Sequence, residues 1–160
     1  MPNFKQHIKQ VRQNIEFLEF VNAQKPEFID WQITIAYYSA VHLVNAHLAT
    51  SAMLHFSSHG EVDAHIAPFS LACGGKARLP EHVFTAYRKI TNSSRISRYL
   101  SNDGENTKAV LLSEKDLIKA LSALDILISY FAGRYTFEAI SCKISCKEKG
   151  NHSFQAIIVS

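Results

Sequence analysis

The chain has 160 residues and a mass of 18.0 kDa, the size of one domain with a single sizeable core. Hydrophobic residues at 47% exclude a disordered chain, and a formal net charge of +3 is too small to argue for nucleic-acid binding by itself. The longest apolar run, Trp31 to Leu48, is interrupted by Gln32, Thr34, His42, Asn45 and His47, so no membrane span and no membrane partner are expected.

Phe4, Ile8, Val11, Ile15 and Leu18 recur at alternating spacings of four and three residues, one face of an amphipathic first helix. Pro26 breaks it and restarts the chain. A second helix is expected from about Glu27 to Ala49. Trp31, Ile35, Tyr38 and His42 form one stripe of it, and Ile33, Tyr37, Ala40, Val41 and Val44 a second. A helix apolar on two sides belongs at the centre of a fold. Ser58 to Glu61 has the spacing of a capping box for a short helix ending near Ile66 or Phe69. Ala72 to Lys76 is a glycine-bearing loop, and Leu79-Pro80-Glu81 opens a helix running to about Leu100 with Val83, Phe84, Tyr87 and Ile90 inward. Ser113 to Asp116 caps a last helix along Leu117, Leu121, Leu124, Ile128 and Phe131.

From Thr136 the period changes to alternation, with Ile140, Cys142, Ile144 and Cys146 against Ser141, Lys143 and Ser145. Lys147 to Asn151 reads as a turn and Phe154 to Val159 as a further strand. The expectation is an all-α, antiparallel four-to-five-helix bundle over residues 1–135 with a C-terminal extension, 136–160, forming a short β-hairpin.

The amino-terminal segment lacks the apolar centre of a secretory signal. Three cysteines, Cys73, Cys142 and Cys146, form no disulfide framework, so a cytoplasmic setting is expected. In one strand Cys142 and Cys146 would stand roughly 13 Å apart, beyond disulfide reach. They read as small apolar residues of a half-buried strand.

Of the polar clusters, His55, His59 and His65 with Glu61 and Asp63 miss the spacing of zinc ligands, and no metal or cofactor is expected. His42 continues an apolar stripe, where a histidine is a core residue hydrogen-bonded to a neighbour. Gly74-Gly75-Lys76 lacks the rest of a phosphate loop. Arg88, Arg95 and Arg98 share about one helix face beside Tyr99, a seat for a phosphate or an RNA backbone. Ion pairs with Asp103, Glu105 or the helix end are the structural alternative.

Ile35-Ala36-Tyr37-Tyr38-Ser39-Ala40-Val41-His42, then Leu54 to His59, the Leu79-Pro80 helix start and Ser94-Arg95 to Tyr99 occur in the order found in the HEPN superfamily, which the chain resembles from about Ile15 to Phe131. That resemblance implies a helical bundle, homodimeric pairing and association with RNA or nucleotides. HEPN ribonucleases use an arginine separated from a histidine by four to six residues. The matching positions are Leu100, Ser101 and Asn102 after Arg95, and Asp103, Gly104 and Glu105 after Arg98. Arg78 and His82 stand one residue too close. The catalytic pair is therefore absent, and a non-catalytic RNA- or nucleotide-associated dimeric module is expected. Two alternatives stand beside it: a metal-independent, toxin-like endoribonuclease with a displaced histidine, and a protein-partner module of toxin–antitoxin type. The candidate ligand-binding residues are Arg95, Arg98, Tyr99, Tyr38, His42, His55 and His59.

Overall fold

In a computed structural model, residues 2–56, 58–99, 112–147 and 154–159 are described. Their α-helices are α1 (Phe4–Gln24), α2 (Ile29–Ser51), α3 (His59–Ile66), α4 (Glu81–Tyr99) and α5 (Glu114–Arg134). They build the all-α antiparallel bundle anticipated from periodicity. The helix starts follow local chemistry. Asn3 caps α1, its side chain accepting from the Gln6 N–H at 3.0 Å while the Gln6 side chain accepts from the Asn3 N–H at 2.9 Å. At α5 the Asp116 carboxylate accepts from the Ser113 N–H at 3.0 Å, a bond that lowers the acid's pKa. Ser58 does cap α3, but through its backbone carbonyl alone; the expected box with Glu61 does not close at this exposed end.

Helix α2 stands at the centre, packed against α1, α4 and α5. Ile33, Tyr37, Ala40, Leu43, Val44 and Leu48 on it are fully buried, with Leu18, Tyr87, Leu121 and Phe131 around them. The stripe that carries Trp31 and Tyr38 departs from expectation. Trp31 is 60% exposed and Tyr38 43%, so this side of the central helix faces solvent instead of core.

The tail is extended, as alternation predicts, but it is not a hairpin. Strand β1 (Cys142–Ile144) pairs in parallel with β2 (Ile157–Val159), Cys142 opposite Ile157. A hairpin requires the chain to reverse. Here the strands stand with twelve residues between them in the sequence, the separation that parallel pairing needs. The expected turn falls largely on residues 148–153, outside those described. Asp125 of α5 fixes the return: its carboxylate accepts from the N–H groups of Gln155, Ala156 and Ile157 at 2.9, 2.6 and 2.8 Å. Ile140, Cys142, Ile144 and Ile157 join the same buried cluster as the helices, so the extension completes the bundle's core. Burial raises the Cys142 thiol to about 12 and the Cys146 thiol to about 11, consistent with their apolar role.

Candidate functional site

The exposed stripe of α2 and the facing side of α1 enclose an open groove of about 330 Å³. Gln10, Asn14 and Phe17 line it from α1, and Trp31, Thr34, Ile35, Tyr38 and His42 from α2. The geometry follows from two helix periods. Residues 10, 14 and 17 recur at four and three on α1, as do 31, 34, 35, 38 and 42 on α2. Phe17, at 52% exposed and stacked against Phe20 with ring centroids 6.5 Å apart, and Trp31 therefore present aromatic surface to solvent. Gln10 donates to the Asn14 side-chain oxygen at 3.0 Å, while the Asn14 Nδ2, buried in the groove wall, has no partner among the described residues.

Beside the groove, the Arg98 guanidinium from the end of α4 stacks over the Tyr37 ring at 4.9 Å and the Tyr38 ring at 5.9 Å. Its Nε also donates to the Ser94 carbonyl at 3.3 Å. Thr34, on the groove side of α2, shares a 3.0 Å hydrogen bond with Ser97 of α4. Two contacts thus register the last turn of α4 against the groove. Burial raises the Tyr37 phenol to about 12, so it stays neutral beneath the arginine.

His42 at the other end joins a cluster of three imidazoles. His7 of α1 and His42 place their Nδ1 atoms 3.1 Å apart, so one donates and the other accepts. The His55 ring stacks on His7 with centroids 5.2 Å apart. His7 Nε2 and His55 Nδ1 are buried without partners among the described residues. Burial, then the neighbouring His42 and His55, lowers the His7 pKa to about 4; burial and His55 lower that of His42 as well. At neutral pH His7 and His42 are therefore neutral. Among the described residues no group of three or more histidine, cysteine or carboxylate side chains has metal-holding geometry.

The expected site thus divides. Tyr38 and His42 line the groove and Arg98 stacks on its edge. His55 adjoins it through His7. Arg95 is exposed on α4. The side chains of His59 and Tyr99 lie outside the described residues, as do Asp103 and Glu105. Arg88 does not share the site, because it pairs with Asp63 across to α3. His65 rests against Phe56 at 4.4 Å and hydrogen-bonds the Glu61 carbonyl at 2.8 Å, apart from any cluster. His47 is structural: Tyr135 holds its Nδ1 at 2.6 Å and the Ala77 carbonyl its Nε2 at 3.0 Å.

Sequence reasoning missed His7, although its signal was present. It lies three residues after Phe4 and four before Val11, a titratable group on the apolar face of α1. The Tyr37–Arg98 stack carried no such signal, since it joins residues distant in the chain.

No family model, curated protein or solved structure matches this chain.

Proposed function

We propose that this chain is a HEPN-like, non-catalytic module that associates with single-stranded RNA or nucleotides and acts as a homodimer. The observation that carries the reading is the solvent-open aromatic groove with Arg98 at its edge. Single-stranded bases stack on exposed aromatic rings, and guanidinium groups follow the phosphates. Trp31, Tyr38 and Phe17 supply the rings. Arg95, exposed on α4, adds a cation that a backbone phosphate can reach. Cleavage is not expected, because no histidine stands at the family's spacing after Arg95 or Arg98. Phe20, 61% exposed, and Phe28, 45% exposed, leave apolar surface near one end of the groove for a second copy to cover.

Trp31 is the chain's one tryptophan, which makes the test direct. Titrating a short single-stranded RNA should quench its fluorescence, with no RNA shortened on a denaturing gel. Losing a stacking platform costs about 1–3 kcal/mol, so Trp31→Ala, read by anisotropy of labelled RNA, should weaken binding about 5- to 150-fold. Unchanged fluorescence and unchanged affinity would remove the proposal. Robust cleavage abolished by His42→Ala with the fold intact would replace it with a ribonuclease. Light scattering that gives a monomer at micromolar concentration would remove the dimer.

A further inference from the structure

The outer faces of α4 and α5 form a second concavity, separate from the α1–α2 groove. It is a trough of about 590 Å³ between the two helices. Past His82 and Ile126, which it shares, it continues into a further 390 Å³. Its floor is Ala86 and Ala123, both buried, with Ile126 39% exposed. Its cations are Lys89 and Lys119, one from each helix.

The shape selects the kind of occupant. The lining residues run from 82 to 93 on α4 and from 119 to 130 on α5, about 16 Å along each axis at the helical rise. A trough of that length with a small-residue floor suits a rod that lies along it, and about three turns of α-helix have that length. Alanines at the floor let a third backbone approach closely, and Ile126 offers an apolar ridge against which its side chains pack. The floor at Ala86 and Ala123 carries no aromatic ring and Tyr130 stands only at the far end, so a row of bases has no stacking platform along the trough, and a lipid surface cannot enter a concave trough.

Charge selects the partner's sign. Among the described residues the only acidic lining residue is Asp125, at the far end, and three backbone N–H groups already surround its carboxylate. Lys119 has Asp116 at 3.2 Å, an exposed pair that is easily exchanged. We infer that the α4–α5 trough is a docking site for an acidic amphipathic helix of a partner protein. Its apolar stripe would lie on Ala86, Ala123 and Ile126 and its carboxylates against Lys89 and Lys119. Helices bind such grooves through anchors at i, i+3, i+4 and i+7.

The test uses the full chain and a fluorescein-labelled, hydrocarbon-stapled peptide about fourteen residues long, enough for a stable helix. It carries leucines at those anchor positions and glutamates on both flanks; a second peptide carries lysines in place of the glutamates. The acidic peptide should bind with micromolar affinity by anisotropy and shift backbone amide resonances along α4 and α5. Lys89→Glu with Lys119→Glu, both exposed and so compatible with folding, should weaken it by about tenfold or more and reverse the preference between the peptides. Ser122→Trp, filling the trough without changing charge, should abolish binding of both. Absence of binding, equal binding of both peptides, or resonance shifts elsewhere overturns the inference. So does self-association of the chain that the double lysine variant abolishes, which would make a second copy the occupant. The Trp31 quenching experiment reads the other groove and is unaffected by the outcome.

Discussion

Acid should destabilise this bundle through His7 before the carboxylates titrate, because the ring is buried beside two others that share its sign of charge when protonated. The unfolded imidazole has a pKa of about 6.5, and the folded one is depressed to about 4. For a depressed histidine the unfolded chain binds the proton first. Stability is therefore complete above the unfolded value and is lost as pH falls from about 6.5 toward about 4. Linkage with those two values gives a loss of about 2 kcal/mol between pH 7 and pH 5, and about 3 kcal/mol once the folded ring titrates. His42, lowered as well, acts in the same direction. For a chain of this length 2 kcal/mol corresponds to roughly 4–8 °C in Tm.

The comparison is with His7→Phe, which keeps a ring against His55 and removes the titrating group. Thermal unfolding by circular dichroism at half-unit pH steps should show a steep acid limb for the natural chain and a shallower one for the variant. The variant will start lower at pH 7, since His42 Nδ1 loses its partner at a net cost of about 1 kcal/mol. The slope, not the starting value, carries the test. Parallel limbs would show that His7 does not bear the proton linkage. A histidine proton resonance titrating near its ordinary value, assigned to His7 by NMR, would refute the argument at its source.

Cys73 is exposed while Cys142 and Cys146 are buried, so a thiol reagent under native conditions should label one site quickly and the other two only on unfolding, counted by mass spectrometry. Leu121→Ala removes a fully buried side chain at the centre of α5 and should cost about 2–5 kcal/mol, read as a lowered urea midpoint. Arg95→Ala, on an exposed residue, should leave stability within about 0.5 kcal/mol. If its cation meets RNA, the salt slope of binding should fall by about 0.7 for the one lost phosphate contact on a single strand.

The helices were legible because their apolar faces repeat over many turns. Leu117, Leu121, Leu124, Ile128 and Phe131 are all buried, as the spacing demanded. The limit of that logic shows at Trp31 and Tyr38. Periodicity says which residues share a face; it does not say whether another element covers that face. The strand period of the tail was legible too, but the direction of pairing was not. Alternation is the same for parallel and antiparallel partners, and what decides between them is a carboxylate on a different element. Likewise Arg98 was visible as a cation near a helix end, while its stacking partners lie some sixty residues earlier, on the central helix.

The polar residues that broke the apolar faces turn out to hold the extension in place. Asn22 falls on the buried side of α1, and its amide treats Ser145 as a neighbouring strand would. Its Nδ2 donates to the Ser145 carbonyl at 3.1 Å, and its Oδ1 accepts from the Ser145 N–H at 2.8 Å. The same Nδ2 donates to Gln32 at 2.9 Å, tying the arrangement to α2. Asp125 does for the return strand what Asn22 does for the outgoing one, taking three N–H groups with one carboxylate. Two three-residue strands alone would be too short to persist. Anchored on α1 and α5, they carry Cys142, Ile144 and Ile157 into the core. Asp125→Ala should therefore leave three tail N–H groups without acceptors and cost about 3 kcal/mol. Amide exchange should accelerate through β1 and β2 while α2 keeps its protection, because the anchors govern the tail and the helix core governs α2. Uniform loss of protection across the chain would show that the tail is no separable part of the fold, and that the bundle cannot stand without it.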